Sequence, residues 1–451
     1  MTQPSKAEQY VFFAVVLAAL LAVAFYYHRP VSVCEEAVVR AGVAADLLEG
    51  RVEGRQALIG SLKWPPLPTM LAMPLAKTPV LGTTGLSLVI VNAVVAAFTL
   101  SLLNTWWSTF GIPRLVRYPL LASYQASPAI IGAVLTGSSS TVMLLILTAG
   151  AYFLVRWLDT LDLRSLAYLG VLAGLSIITR YETIALVALV TLVILLRVAR
   201  SREKSFRPAT LLVFLIPPIY TAGLWFLGNW LIMGDPLFFL RGLAHGEVVR
   251  AEFTEFEWEW SLYLMPMLLL VTTWTLAAER ARLAHLGRAL STIIAFAALV
   301  VGIAWPYADL WMAGPDEPYF GRHSVDVKRV EDILLCLAQD HPDAKVFVSG
   351  YSGYPFVGRP GSAETFVHLM NLDLREIQRR THGQPLLFLV PRPRGIHRWE
   401  DINLQASWLF DDYTGPPLSD RGLRMSFILA KAWPDWRLFE VVRPDAPAKK
   451  P

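Results

Sequence analysis

This chain is short of charge. Only 17% of its 451 residues are Asp, Glu, Lys or Arg, while 55% are hydrophobic, which excludes an ordinary soluble domain, where about a quarter of residues are charged. Cysteine is nearly absent too. Cys34 and Cys336 are too few for a disulfide framework, and no CxxC occurs, so the only pairing open to them is with each other. His245 and His323 stand apart from other ligand types, so no metal site is expected. No GxxxxGK[ST] occurs, and no GxGxxG follows a strand. A nucleotide cradle is thereby excluded, no cofactor is expected, and nucleic acid is not an expected partner. The first apolar run is not followed by an A-x-A-like cleavage site, so it reads as a retained helix rather than a signal peptide.

What the chain has instead is long apolar stretches. Runs of spanning length occupy residues 11–27, 83–105, 115–135, 139–156, 165–180, 182–199, 209–232, 261–278 and 289–306. Fifteen Trp, fifteen Tyr and 22 Phe exceed what core packing requires, and rings at the ends of such runs suit the headgroup zone. The expected fold is therefore mainly α: a polytopic membrane protein of about nine spans, with amphipathic helices outside the membrane.

Orientation follows from Lys and Arg in the short loops. Arg114 and Arg117, then Arg197, Arg200, Arg202, Lys204 and Arg207, then Arg280, Arg282 and Arg288 fall on one side if spans alternate. That side is cytoplasmic, and the N-terminus with it. Residues 28–82, the turn 180–182, the loop 233–260 and everything after 307 then face outward, which predicts a multi-pass protein of the cell membrane (a cytoplasmic or inner membrane). Beyond residue 307 hydropathy falls. Residues 325–339 have helical spacing, and 344–350, 385–392 and 436–444 are short apolar runs bounded by Pro or Gly, as strands are. Residues 1–306 thus form a transmembrane domain and 307–451 a small C-terminal extracytoplasmic α/β domain.

The outer loop after the first span opens with Glu35-Glu36, continues as an apolar face over Ala37, Val38, Ala41, Ala44, Ala45 and Leu48, ends at Gly50, and restarts at Trp64-Pro65-Pro66-Leu67-Pro68. Both helices are too short or too amphipathic to span and are expected to lie on the outer surface, in contact with lipid and water. The acidic pair is either a solvated first turn favoured by the helix dipole or a reactive group. Arg40, one turn after Glu36, has i,i+4 spacing with it. At 180–182, Arg180, Tyr181 and Glu182 interrupt two apolar runs. An arginine there either pairs with Glu182 or headgroups, or binds an anion arriving through the membrane. A carboxylate near an acceptor hydroxyl and a guanidinium near a leaving phosphate are the components of group transfer. Lys63 either reaches the same phosphate or is a surface lysine at a helix start. Ser138–Thr141 either binds hydroxyls or caps a helix. Asp235 either contributes to binding or forms an ordinary Asp-Pro turn, and EFEWEW at 255–260 either stacks on sugars or forms an interfacial belt.

The order of first span, acidic pair, amphipathic helix and Pro-Pro-Leu helix resembles the polytopic C-type glycosyltransferases, the superfamily of protein O-mannosyltransferases and lipid A aminoarabinose transferases. Gly174 to Glu182 is similar to a Gly-Leu-x-x-x-Thr-Arg-Tyr-Glu-like turn of those enzymes. The resemblance covers residues 1 to about 240. It implies a membrane glycosyltransferase that moves a sugar from a polyprenyl-phosphate donor to a glycan, lipid or protein acceptor hydroxyl, with inversion. It also implies that the first carboxylate is the base. Glu35 stands where Asp is usual in the family, so the base is either Glu35, which the order favours, or Glu36. Arg180 and Lys63 are the expected donor-phosphate ligands, and Tyr181, Glu182 and Asp235 the expected substrate contacts. A lipid-linked substrate transporter or flippase would show inverted repeats, which are absent. A non-catalytic membrane assembly protein would need only one span.

Overall fold

The computed structural model describes residues 5–27, 35–239 and 327–442, apart from short stretches that include 61–63, 182, 200–205 and most of 393–417. The expected spans at 261–278 and 289–306, the run 255–260, His245, His323, Cys34 and the expected domain boundary lie outside the described residues. The membrane part comprises α1 (Lys6–Tyr27), α2 (Glu35–Leu48), α3 (Val52–Gly60), α4 (Pro66–Ala76), α5 (Leu86–Thr109), α6 (Arg114–Gln125), α7 (Pro128–Thr136), α8 (Ser140–Thr160), α9 (Leu163–Ile177), α10 (Thr183–Ala199) and α11 (Phe206–Met233).

Four of the described helices are long and apolar enough to cross a membrane: Lys6–Tyr26, Leu86–Thr109, Ser140–Thr160 and Ala209–Met233. Their outer faces fit lipid, since Val11 and Phe25 of α1 and Leu212, Ile216 and Ile219 of α11 are exposed, and water would penalise such a surface. The chain is a membrane protein. The other expected spans differ. The run 115–135 is two helices, because Pro128 starts α7 at a position where no amide donor is needed. Helices α9 and α10 have 15 and 17 residues, and at about 1.5 Å per residue they fall short of a ~30 Å hydrocarbon layer. Arg114 of α6 pairs with Glu8 of α1 at 2.6 Å, so the N-terminus and the basic turn share one end of the bundle.

Helix α11 carries Pro217 and Pro218 in its interior. Each lacks the N–H that would bond the carbonyl four residues back, which releases the carbonyls of Val213 and Phe214. Helix α9 lays Gly170 on those two groups: a Cβ there would stand 2.6 Å from the Phe214 oxygen and 3.2 Å from that of Val213. One turn later, a Cβ on Gly174 would stand 2.7 Å from Thr221 Oγ1 and 3.1 Å from the Pro217 oxygen. Glycines four residues apart thus let two backbones meet, and glycine Cα–H groups suit carbonyls left without amide donors.

Helix α2 does not lie on a surface. Residues 37–44 are all buried, enclosed by α3, α4, α5 and the C-terminal domain, whereas Leu48, expected on the apolar face, is exposed. Its Ala, Gly and Val side chains are small enough for neighbours to approach from every direction, which favours packing over amphipathic exposure. The helix ends as expected, with Gly50 at φ 73°.

The C-terminal domain contains α12 (Val327–Asp340), β1 (Lys345–Ser349), α13 (Tyr354–Val357), β2 (Phe366–Leu369), α14 (Leu374–Thr381), β3 (Leu386–Pro391), β4 (Leu418–Asp420), β5 (Met425–Ala432) and β6 (Trp436–Val442). The sheet order is β2-β1-β3-β6-β5-β4. Strands β2, β1 and β3 are parallel and the rest antiparallel. Strand β3, LLFLVP, is buried along its whole length, as a central strand covered on both faces must be. Phe347, Phe388, Phe427 and Phe439 fill one face. Val346, Leu387, Leu389 and Leu438 pack under Ile333 and Leu337 of α12 on the other. Cys336 is free and buried.

The segment after β1 docks this domain onto the membrane part. The Tyr354 ring occupies the space beside Gly42 of α2 that a side chain would need. The Tyr351 hydroxyl donates to the Ala57 carbonyl at 3.1 Å, and its ring meets Trp64 edge-on at 5.0 Å. Arg380 pairs with Glu53 at 2.6 Å. In the same junction burial pushes the Asp46 carboxyl up to about 6, against the pull of Arg51 and with Glu49 and Glu53 adding to the rise.

Two outcomes are expected. Gly170→Ala should destabilise the solubilised protein by roughly 1–3 kcal/mol through overpacking, whereas Gly150→Ala, whose Cβ would meet only Leu169 at 3.8 Å, should not; thermal melting reads both. For Asp46, a raised carboxyl pKa favours folding as the group protonates. Stability should therefore rise on acidification from about 6 towards the ordinary 3.8, by on the order of 2–3 kcal/mol. Melting curves of the wild type and Asp46→Asn should converge at the acid end of that window and part above it.

Candidate active site

The site is built on a serine turn between α7 and α8. Gly137, at φ 81°, closes α7: its N–H bonds the Val134 carbonyl and the Ser138 N–H reaches that of Ala133, the paired pattern of a helix ending in a left-handed residue. Asn92 of α5 fixes the turn from below, donating to the Ala133 carbonyl at 3.1 Å and the Ser138 carbonyl at 2.8 Å. Helix α8 begins immediately afterwards and leaves its first amides without intrahelical acceptors.

Glu36 occupies that helix start. Its Oε2 accepts from the Ser139 N–H at 3.4 Å and the Ser138 hydroxyl at 3.5 Å, a favourable place for an anion. Its Oε1 accepts from Arg40 Nε at 2.8 Å, and the two side chains are 17% and 1% exposed. The i,i+4 pair read from the spacing is therefore present, but buried rather than solvated. Arg40 reaches further: Nη1 donates to the Pro65 carbonyl at 2.6 Å and to Thr69 Oγ1 at 3.1 Å. One side chain on α2 thereby holds both the Trp-Pro-Pro turn and α4. A backbone bond from Leu67 N–H to the Ile178 carbonyl, 3.0 Å, joins that turn to the end of α9.

Arg180 follows directly. Its amide closes the last turn of α9 on the Ser176 carbonyl, a position where a cation suits the helix dipole. Its Nη1 donates to Ser140 Oγ at 3.2 Å. Glu36 and Arg180, far apart in sequence, thus meet on one turn, Ser138–Ser140. Burial pushes the Glu36 carboxyl up, but Arg40, the Ser139 hydrogen bond and Arg180 together outweigh it and hold the group below the ordinary carboxylate range.

The other expected residues separate. Glu35 is the first residue of α2, but its side chain, Lys63 and Glu182 lie outside the described residues. Tyr181 stacks on Phe239 at 5.3 Å and tilts towards Trp225 in an aromatic cluster. Asp235 Oδ1 accepts from the Leu237 N–H at 3.0 Å, as in an ordinary Asp-initiated turn. Among the described residues no group of three His, Cys, Asp or Glu could hold a metal. Sequence reasoning missed Asn92 and the reach of Arg40. The signal for Asn92 was an amide inside an apolar run, since intramembrane polar groups need partners.

No protein family, curated protein or solved structure matches this chain. Function rests on the site.

Removing one partner of a buried pair strands the other. Glu36→Leu should destabilise the protein by roughly 3–5 kcal/mol, and adding Arg40→Met should restore much of the loss. The lowered Glu36 carboxyl contributes stability above its ordinary value of 4.5 and loses it as pH falls below. Melting temperatures recorded against pH should show that acid limb in the wild type and not in the double variant.

Proposed function

We propose that this protein is a membrane glycosyltransferase of the C type, moving a sugar from a polyprenyl-phosphate donor to an acceptor hydroxyl at the outer face of the membrane. The observation that carries the reading is the meeting of Glu36 and Arg180 on the Ser138–Ser140 turn. In this reading the shorter apolar helices are embedded beside the four long ones, the N-terminus is cytoplasmic, and the C-terminal domain and the site are extracytoplasmic. Arg180 faces the donor phosphate, with Lys63 in support, and Tyr181, Glu182 and Asp235 line the approach of substrate.

Glu36 is unsuited to be the base. A carboxylate already bound to a guanidinium and held ionised takes up protons poorly at neutral pH. The role therefore falls to Glu35, and Glu36 becomes a positioning residue. Glu35 removes the proton of the acceptor hydroxyl as that oxygen forms its bond to the anomeric carbon. The bond from that carbon to the phosphate oxygen breaks on the opposite face, and its electron pair leaves with polyprenyl phosphate. The configuration inverts. Arg180 offsets the charge that develops on the leaving phosphate, which is worth most in a site of low dielectric.

Membranes containing the protein, incubated with labelled polyprenyl-phosphate sugars, should transfer label to an acceptor. Glu35→Gln should lower that transfer about a hundredfold or more while inserting and melting normally. Transfer that continues at the wild-type rate in Glu35→Gln would remove the proposed base.

A further inference from the structure

The guanidinium of Arg40 is 1% exposed, and its bonds are unevenly used. Nε binds Glu36 and Nη1 binds Pro65 and Thr69, but Nη2 has no hydrogen-bond partner among the described residues. A buried donor left idle is costly and calls for an explanation. In a guanidinium Nε and Nη2 share one edge, the edge that ordinarily grips both oxygens of a carboxylate. Here the grip is half made. Oε1 of Glu36 sits on Nε, while Oε2 is turned away to Ser138 and Ser139. The edge that faces Glu36 thus holds a buried N–H donor without a partner next to a carboxylate acceptor.

We infer that Glu36 and Arg40 form a binding subsite for a sugar hydroxyl, which accepts from Arg40 Nη2 and donates to the Glu36 carboxylate. An anion is the wrong occupant, because Glu36 at 2.8 Å from Nε would repel it. A hydroxyl is the right one, since it both accepts and donates. The subsite adjoins Arg180 through Ser138 and Ser140, so a glycosyl group whose phosphate meets Arg180 brings its hydroxyls to it. Identifying the hydroxyl as a sugar's rests on the glycosyl-transfer reading; the vacant donor beside an acceptor does not.

The test uses the full chain in detergent and two charge-conserving variants, Arg40→Lys, which lacks the fork, and Glu36→Asp, which withdraws the carboxylate. Binding is followed by tryptophan fluorescence for three probes: undecaprenyl phosphate, undecaprenyl-phosphate mannose, and a panel of methyl hexosides and pentosides. The wild type should bind at least one glycosyl-bearing probe, and either variant that still melts cooperatively should bind it about tenfold or more weakly, the worth of a hydrogen bond to a charged group. Affinity for bare undecaprenyl phosphate should fall less than affinity for the glycosyl-bearing probe. A loss confined to the lipid-linked sugar places the donor's hydroxyl in the subsite, and a loss confined to the free glycosides places an acceptor's there. If no glycosyl probe binds, or if binding survives both changes, Nη2 serves only structural water and the inference is overturned. If undecaprenyl phosphate fails to bind the wild type, the donor reading fails while the glycoside series still judges the subsite.

Discussion

A single charged side chain inside an apolar bundle sets the terms for everything around it. Arg40 lies on α2 where a guanidinium would be intolerable without compensation, and each compensating atom comes from a different piece of chain: Glu36 one turn earlier, the Pro65 carbonyl before α4, and Thr69 within α4. Glu36 extends the chain of contacts to the start of α8, and Ser140 extends it to Arg180. Polar contacts in low dielectric tolerate little displacement, because a small shift leaves a buried group unsatisfied. The network therefore fixes the register of four helices as well as the geometry of the site.

The apolar packing around the network serves the same end by different means. Between membrane helices the hydrophobic effect gives little drive, so close contact depends on small residues. Gly170 and Gly174 allow α9 to lie on the prolines of α11, which settles where α9 ends and hence where Arg180 begins. On the other side, Tyr351 of the C-terminal domain bears on Trp64, the residue before the proline whose carbonyl Arg40 holds. The C-terminal domain is thus linked to the site by three consecutive links, Tyr351 to Trp64, Trp64 to Pro65 and Pro65 to Arg40. This gives a physical reason for attaching an α/β domain to the bundle: it braces the turn that carries the acceptor closest to the guanidinium.

Much of this was legible in the sequence, and the misses have identifiable causes. Long apolar runs located α1, α5, α8 and α11 because composition alone decides such helices. The break at Arg180 was visible for the same reason, and so were α12, β1, β3 and β6. The strand β5, MSFILAKA, was missed because it is half polar and lacks clear turn signals at both ends. Helix α3 was missed because VEGRQALIG has no apolar periodicity strong enough to register. The burial of α2 was misread because its pattern of small residues is ambiguous. Ala and Gly at helical spacing suit a weakly amphipathic surface helix as well as one enclosed on all sides, and only the neighbours decide. Local spacing disclosed the Glu36–Arg40 pair, but its partners Pro65, Thr69 and Ser139 lie up to about a hundred residues away, beyond the reach of any periodicity.

The doublet Glu35-Glu36 then has an explanation in helix geometry. Adjacent side chains leave an α-helix about 100° apart, so two neighbouring carboxylates cannot serve the same partner. In the glycosyl-transfer proposal the site must both hold a buried guanidinium in place and present a carboxylate to a reacting hydroxyl, and that takes two acids, because the ion pair that does the first disables the acid for the second. Glu36, bound to Arg40 and to the serine turn, is the acid spent on structure. In the glycosyl-transfer proposal the second acid is Glu35, the first residue of the same helix, whose backbone position is set by the same buried pair.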